Sequence, residues 1–394
     1  MKQYFLIISY EFPPFLGGAG TYSRELSVGL TSLGHEVTVL TSLHNDEKEA
    51  FGIDETLKST HKINILRFKS IWKLFYFQLF YHLIKNFGKD YFDKFDSIIL
   101  ADHRATKFGM LFFKKALVKS VNVFHGGEID SFYLTPNRYL KLFGIPGKYE
   151  NMLFHCKANI AVSADLKNKI VTVLPSLNHK IDVVLHGIDT DLFQPTTKNK
   201  KISTLQKYNL EKRQLIILSA SRLVKEKGQD NLIKAFSLIK DEIPNTKLII
   251  AGDGNYINAL KQQTADLQIQ NSVLFTGNLA REELASLMGI SDIFAMISRR
   301  KEEAFGLVFI EANACKVPVL AGAVAGVVEA VEDNVSGLLT DPNNILEVSD
   351  KLKKLILEDS FRKKLSESAY KRFKQGFTNL VMAKNTINLI NGKG

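Results

Sequence analysis

The sequence predicts an α/β protein made of two Rossmann-like domains in tandem, and three observations carry that prediction. The chain has 394 residues, too many for one ordinary core and comfortable for two. Short apolar runs alternate with helix-like stretches along most of its length, the pattern of a parallel sheet covered by helices. The alternation breaks around Asp191–Lys212, where a polar, Lys- and Asn-rich stretch (QPTTKNKK) reads as an interdomain linker with a short helix.

In the first half the strand candidates are Tyr4–Tyr10, Glu36–Thr41, Ile63–Phe68, Ser97–Ala101, Val121–His125, Asn159–Ser163 and Ile181–Leu185. A second series comprises Leu215–Ser219, Lys247–Ala251, Ser272–Thr276, Asp292–Met296, Val317–Ala321 and Gly337–Thr340. From about Asn344 onward the pattern is wholly helical and amphipathic. Sheets of this kind bind nucleotides in a crevice at the carboxyl ends of their strands, so the residues there come first.

Composition narrows the function classes. At 45% hydrophobic and 24% charged the chain is globular, not disordered or fibrous. Cys156 and Cys315 stand far apart and in no metal-ligand spacing, so buried reduced thiols are expected, with no disulfide framework and no zinc site. The apolar run YFLIISY is short and is followed by Glu11 and two prolines, which fits a first buried strand better than a signal peptide. No stretch approaches the roughly 20 apolar residues of a spanning helix, so a cytoplasmic protein, soluble or peripheral, is expected. The net charge of +11 favours anionic partners, and Thr56–Ser120 holds about 13 Lys or Arg against about 4 acids. No nucleic-acid motif is present, so nucleic acid is not an expected partner.

Three loops carry residues suited to chemistry. The first, Glu11 through Gly17, Gly18, Ala19 and Gly20, lies between the first strand and a helix expected over Thr21–Leu33. Its glycines allow close backbone approach to an anion, although the spacing is not the dinucleotide fingerprint and a bare turn fits as well. The second, Ser219 to Gly228, follows the first strand of the second series and sets Arg222 and Lys227 five residues apart. Arg can fork onto two diphosphate oxygens and Lys acts as a point charge; a solvated basic loop is the plain alternative. The third runs from Glu303 through Gly306, Leu307 and Val308 to Glu311, with a helix expected from Gly306 to about Cys315. Eight residues of helix rise about 12 Å, enough for one acid to receive a ribose and the other a hexose with helix N–H groups at the diphosphate between them. Glu311 as a surface acid and Glu303 as a cap neighbour fit the pattern too. His125 and His186 stand at strand ends, the first followed by Gly126 and Gly127.

In this order the motifs resemble glycosyltransferase family 4. The likeness comprises Gly17–Gly20, His125–Glu128, His186-Gly187-Ile188-Asp189 through Phe193 and Pro195, Arg222–Gly228, Gly252-Asp253-Gly254 and Glu303–Glu311. It covers nearly the whole chain, and Ser298–Ala330 is most similar to the bacterial subgroup of phosphatidylinositol mannoside mannosyltransferases. The resemblance implies a GT-B fold with two Rossmann-like domains facing a central cleft. An acceptor domain would span 1–190 and a donor domain 191–376, with a C-terminal helix at 377–394 returning to the first. It implies a retaining hexosyltransferase, with mannose favoured, that uses a GDP- or UDP-sugar without metal or other cofactor. The acceptor would be a glycan, lipid-linked or phosphorylated hydroxyl compound of cell-envelope glycoconjugate synthesis.

By the same resemblance Arg222 and Lys227 neutralise the diphosphate, Glu311 holds the ribose and Glu303 the hexose. Gly306, Leu307 and Val308 contact hexose and phosphates through the backbone, and Gly17, Gly18 and the Gly252 turn line the donor site. Asn278 and Leu279 touch the base, and His125 lies beside the hexose. Departures from the pattern are Lys316 for a glycine, Ala323-Val324-Ala325-Gly326 for a double-glycine loop, His186 for asparagine and Ala304 for glycine. Asp189-Thr190-Asp191 matches a metal-binding D-x-D, but its place after a strand favours a structural turn.

Lys69–Lys94 interleaves aromatics with cations, which suits either a sheet-covering helix or contact with an anionic membrane at the inner face of the cytoplasmic membrane. Core packing is expected for its apolar face. Arg299-Arg300-Lys301 is either a contact for an acidic acceptor or an exposed loop. A nucleotide-sugar epimerase of the same fold, or a binding protein without transfer, are the competing functions; a dinucleotide-dependent dehydrogenase lacks its fingerprint here.

Overall fold

A computed structural model describes residues 1–394 except 16, 44–45, 70–74, 89, 112–113, 143, 244, 300–304, 325 and 393–394. The described residues divide into two compact units, Met1–Gly187 with Thr378–Gly394, and Ile188–Phe377.

The first unit is built on a parallel sheet of β1 (Tyr4–Ile8), β2 (Glu36–Leu43), β3 (Asn64–Lys69), β4 (Ser97–Leu100), β5 (Ser120–Phe124), β6 (Ala158–Ala161) and β7 (Ile181–Val183). Their spatial order is β3-β2-β1-β4-β5-β6-β7. Phe5 pairs with Val37 on one side and Ser97 on the other, which fixes the register of the central strand. Because helices cover both faces, Phe5, Leu6, Ile7 and Ile8 are all buried and the strand reads as one apolar run.

The helix Gly18–Ser32 joins β1 to β2. It buries Ser23 and Ser27 without loss, since each hydroxyl donates to the carbonyl four residues back, at 2.8 and 2.7 Å. It packs against the helix Asn379–Ile390, which brings the C-terminal segment into this unit. Gly29 makes that contact: a Cβ there would stand 2.2 Å from the Asn379 carbonyl oxygen.

The second unit repeats the plan with β8 (Leu215–Ala220), β9 (Thr246–Ala251), β10 (Val273–Gly277), β11 (Ile293–Met296), β12 (Val319–Gly322) and β13 (Gly337–Thr340), ordered β10-β9-β8-β11-β12-β13 and again parallel. One face is covered by the helices Gln229–Ile239 and Ile345–Leu357, whose Leu232, Phe236, Val348 and Leu352 join the strand residues Ile217, Leu248 and Ile293 in one core. Burial of such side chains contributes about 1.5–3 kcal/mol each before chain entropy is set against it.

The expected linker is part of this second unit. Its helix Lys198–Lys207 packs on the helix Arg281–Ile290 and buries Leu205, and the chain crosses between units earlier, at Gly187–Ile188. Polarity misled there because this surface helix of 10 residues buries only Thr204 and Leu205. The basic stretch after β3 contains the helix Phe75–Phe87, which buries Leu79 and Leu83 while Phe77, Phe80 and Tyr81 stay exposed.

Candidate functional site

Each sheet reverses its strand order once, between β8 and β11 in the second unit and between β1 and β4 in the first. Loops leaving such a pair diverge to opposite faces and open a crevice at the carboxyl edge. In the second unit these are the loop carrying Arg222 and Lys227 and the segment that ends at Gly306.

The β8 loop is held by backbone. Ser221 N–H donates to the Ala251 carbonyl at 3.1 Å, Leu223 N–H to Asp253 at 2.8 Å, and Tyr256 N–H to Leu223 at 3.1 Å. Gly252, at φ +128°, sits so close that a Cβ would lie 2.0 Å from the Ser221 oxygen. Its requirement for glycine is therefore explained by packing against the Arg222 loop. Gly228, at φ +74°, does the same against the Ile297 carbonyl, with 1.8 Å to a Cβ, and so joins the β8 loop to the end of β11. On this frame Arg222 is exposed and Lys227 half-buried.

Arg299 has a different task from the acceptor contact considered for it. Its guanidinium forks onto Asp230, Nη2 to Oδ1 at 2.8 Å and Nη1 to Oδ2 at 3.2 Å, and also donates to the Lys225 carbonyl. Its own N–H donates to the Glu226 carbonyl at 2.8 Å. A bidentate Arg–carboxylate pair fixes both partners, so Arg299 braces the loop that presents Lys227. Arg300, Lys301, Glu303 and Ala304 lie outside the described residues, and Ala325 does too.

Gly306, at φ +85°, precedes the helix Leu307–Ala314, where the amides of Leu307 and Val308 have no intrahelical acceptor. Both residues are half-buried, whereas Phe309, Ile310, Ala312 and Ala314 are fully buried. Glu311 is therefore an acid in an apolar helix, 9% exposed. A buried carboxylate is costly without a partner; Arg281 Nη2 stands 3.7 Å from its Oε1. Gly252 N–H donates to the Gly277 carbonyl at 2.8 Å, which sets the following Asn278 and Leu279, exposed and half-buried, beside the Gly252 turn. Arg281 opens the next helix, and its involvement was not legible from spacing.

In the first unit the switch-point loops are tied by Asp102, which sequence reasoning missed. Its buried carboxylate accepts from Ser9 Oγ at 3.2 Å, from the amides of Tyr10 and Glu11, and from those of Arg104 and Ala105 at 2.9 and 2.8 Å. Burial pushes its carboxyl above the usual range against the pull of those donors. Of the glycines after β1, Gly20 is the one geometry demands, with 1.8 Å from a Cβ to the Glu11 carbonyl oxygen. Gly17 lies against the Glu11 carboxylate, and Gly18 opens the helix with free space around it.

His125 follows β5, and its Nε2 is 2.9 Å from the Ala101 carbonyl. A carbonyl only accepts, so Nε2 carries the proton. Burial drops this imidazole to about 4, the carbonyl and Asp102 opposing, so the ring is neutral at neutral pH. Glu128 accepts the amides of His125 and Gly126 and shapes the turn. Asp189 accepts the Asp191 amide at 2.9 Å, so the D-x-D match forms a structural turn. Cys156 and Cys315 are buried free thiols, each raised to about 12 chiefly by burial.

Two family models match the chain. One, described as Glycosyltransferase Family 4, takes in residues 16–192; the other, Glycosyl transferases group 1, takes in residues 200–372. The first half of the chain thus carries a Glycosyltransferase Family 4 domain and the second half a Glycosyl transferases group 1 domain. A GDP-mannose-dependent α-(1-6)-phosphatidylinositol monomannoside mannosyltransferase of Mycobacterium tuberculosis is 34% identical over 177 residues, 44% of this chain and 46% of that relative, so the match spans about half of either. An uncharacterised glycosyltransferase of Methanocaldococcus jannaschii is 25% identical across 97% of this chain and 96% of its own. Among solved structures, a glycosyltransferase from Rickettsia africae superposes with a TM-score of 0.76 at 24% identity, covering 100% and 98% of the two chains. Anabaena HepE in complex with UDP and glucose does so at 0.75 and 21%, covering 99% of each. These likenesses show the fold, two Rossmann-like domains of the GT-B type.

Two departures from the family pattern now have a physical reading. Lys316 takes the glycine position after the helix Leu307–Ala314 at φ +61°, and its ammonium pairs with Glu367 at 2.9 Å on the helix Asp359–Gly376. Its side chain thus turns to a neighbouring helix. His186, in place of asparagine, is buried edge-on to Tyr22 at 5.0 Å and 5.8 Å from the His125 ring.

Proposed function

We propose that this chain is a retaining hexosyltransferase, with mannose the favoured sugar, acting on a nucleotide diphosphate sugar without a metal ion. The observation that carries the reading is the cationic β8 loop, seated by Gly228 and Gly252 at the switch point of the second unit. The helix beginning at Leu307 belongs to the same unit and carries Glu311. Several relatives bear names that specify GDP-mannose, which supports mannose as the sugar.

In the proposed reaction the bond from the anomeric carbon to the diphosphate oxygen breaks as the acceptor hydroxyl adds to the same face. Arg222, Lys227 and the amides of Leu307 and Val308 take up the charge that develops on the leaving diphosphate. The departing oxygen receives the hydroxyl proton, so no carboxylate base is needed. Glu311 receives the ribose hydroxyls and Glu303 those of the hexose. His125, in the first unit, is neutral with its proton on Nε2.

The test is a donor panel of GDP-mannose, UDP-glucose, UDP-galactose and the N-acetyl forms, scored for released nucleoside diphosphate with and without EDTA, with NMR of the product anomer. Release from GDP-mannose, unchanged by EDTA and giving the α-product, is expected. Inversion, loss of turnover in EDTA, or interconversion of the donor without acceptor would each overturn the reading.

The acceptor side is read as facing the inner surface of the cytoplasmic membrane. The exposed Phe77, Phe80 and Tyr81 recur at i, i+3 and i+4 on one helix within the strongly basic stretch, a pattern suited to an anionic interface. No described helix is long and apolar enough to cross a membrane. Co-sedimentation with anionic but not neutral vesicles is expected, and equal behaviour with both would end this part.

A further inference from the structure

The helix Arg281–Ile290 begins with a residue that its own stability does not want. A cation in the first turn opposes the helix dipole, whereas Glu282 and Glu283 beside it suit that position. Arg281 is nevertheless half-buried, its guanidinium 5.5 Å from the Phe193 ring centroid and 3.7 Å from the Glu311 carboxylate. Two segments far apart in sequence meet at this one side chain, the turn after Asp189 through Phe193 and the helix bearing Glu311, while the loop Asn278–Leu279 leads directly into its own helix.

We infer that Arg281 is a positioning residue for the ribose subsite, holding the Glu311 carboxylate in the orientation that receives the nucleotide's sugar hydroxyls. The inference rests on the reading of Glu311 as the ribose ligand. Glu311 sits among fully buried apolar neighbours on its own helix, so a charge on another element is what can steer it. A carboxylate has about four acceptor positions, so an ion pair at one oxygen is compatible with ribose hydroxyls at others. Phe193 backs the guanidinium and limits its swing. Through Arg281 the loop assigned to the base and the acid assigned to the ribose move as one piece, which makes recognition of the nucleoside a single coupled event.

The experiment is calorimetric binding of GDP and UDP, each beside its 2′,3′-dideoxy form, to the wild type and to Arg281→Gln, Arg281→Lys and Glu311→Gln, with thermal melts confirming that each variant folds. The wild type is expected to prefer the ribose form by about tenfold or more, the cost of unmet hydroxyl bonds. Arg281→Gln is expected to erase most of that preference by weakening the ribose form alone, and Arg281→Lys to restore part of it. If Glu311→Gln erases the preference while Arg281→Gln keeps it, the inference falls and the site reading stands. If Arg281→Gln weakens both forms equally, its role is merely structural and the inference falls. If Glu311→Gln keeps the full preference, the ribose assignment falls and this inference with it.

Discussion

The two units share a sheet plan and a switch point, yet they fill that point with opposite chemistry. In the second unit the β8 loop presents Arg222 and Lys227 on a backbone scaffold, braced by Arg299 from the segment after β11, whose guanidinium is committed to Asp230. In the first unit the corresponding loops close over a buried acid, Asp102, with neutral histidines nearby. The topology provides a crevice in either unit, and the loop residues decide its ligand. The cationic one suits a diphosphate; the other, with Gly18 open and His125 uncharged, suits a polyhydroxyl compound.

The largest effect should come from the cations. Arg222→Ala and Lys227→Ala are each expected to lower kcat by about 10²–10³-fold, as when one transition-state charge partner is removed, with thermal melts unchanged. Near-normal turnover in both would dissolve the contrast between the units. Next comes Asp102→Ala, expected to cost about 3 kcal/mol because several donors lose their acceptor at once. Arg299→Ala, in the other unit, should cost about 2 kcal/mol by leaving the buried Asp230 without its guanidinium. Urea titration with a fluorescence readout would rank the two, and the reverse order would show that the cationic loop is the better braced.

Histidine chemistry gives a smaller, pH-dependent effect. His125 binds a proton near 6.5 in the unfolded chain and about 4 in the folded one. Between those values only the unfolded chain takes up the proton, so stability from this group is whole above about pH 6.5 and drains away as pH falls toward 4. Asp102 and Glu128, raised by burial, act in the opposite sense. The readout is therefore the stability gap between wild type and His125→Gln, which should shrink on going from about pH 7 to about pH 4.5. A gap that stays constant would mean that the ring takes up its proton at the same pH in the folded and the unfolded chain. Smallest is Lys316→Gly, expected to gain about 0.5 kcal/mol as relief of a left-handed backbone outweighs a surface ion pair.

The strands were legible because a parallel strand covered on both faces must be apolar throughout, and β1, β8 and β12 are short runs of that kind. Gly228, Gly252 and Gly306 were legible for a related reason: each marks a backbone approach or a positive φ that other residues resist. Asp102 and Arg281 were not. Asp102 acts on Ser9 to Glu11 from about 90 residues away, and Arg281 acts on Glu311 from a different helix, so no local spacing announces either. Arg299 shows the converse hazard: beside Arg300 and Lys301 it reads as one of a basic run, while its side chain answers to Asp230 alone among the described acids. Gly18, conspicuous in a glycine cluster, has open space around it, and the demand falls on Gly20.

Gly29 pressed against Asn379, and Gly187 against Thr378, have a consequence for biogenesis. The N-terminal unit emerges from the ribosome first but lacks its last helix until some 200 further residues have been translated. The C-terminal unit, continuous in sequence, can close in the meantime. A nascent chain paused before Thr378 would therefore hold one finished half and one with an uncovered apolar stripe, a natural client for chaperones.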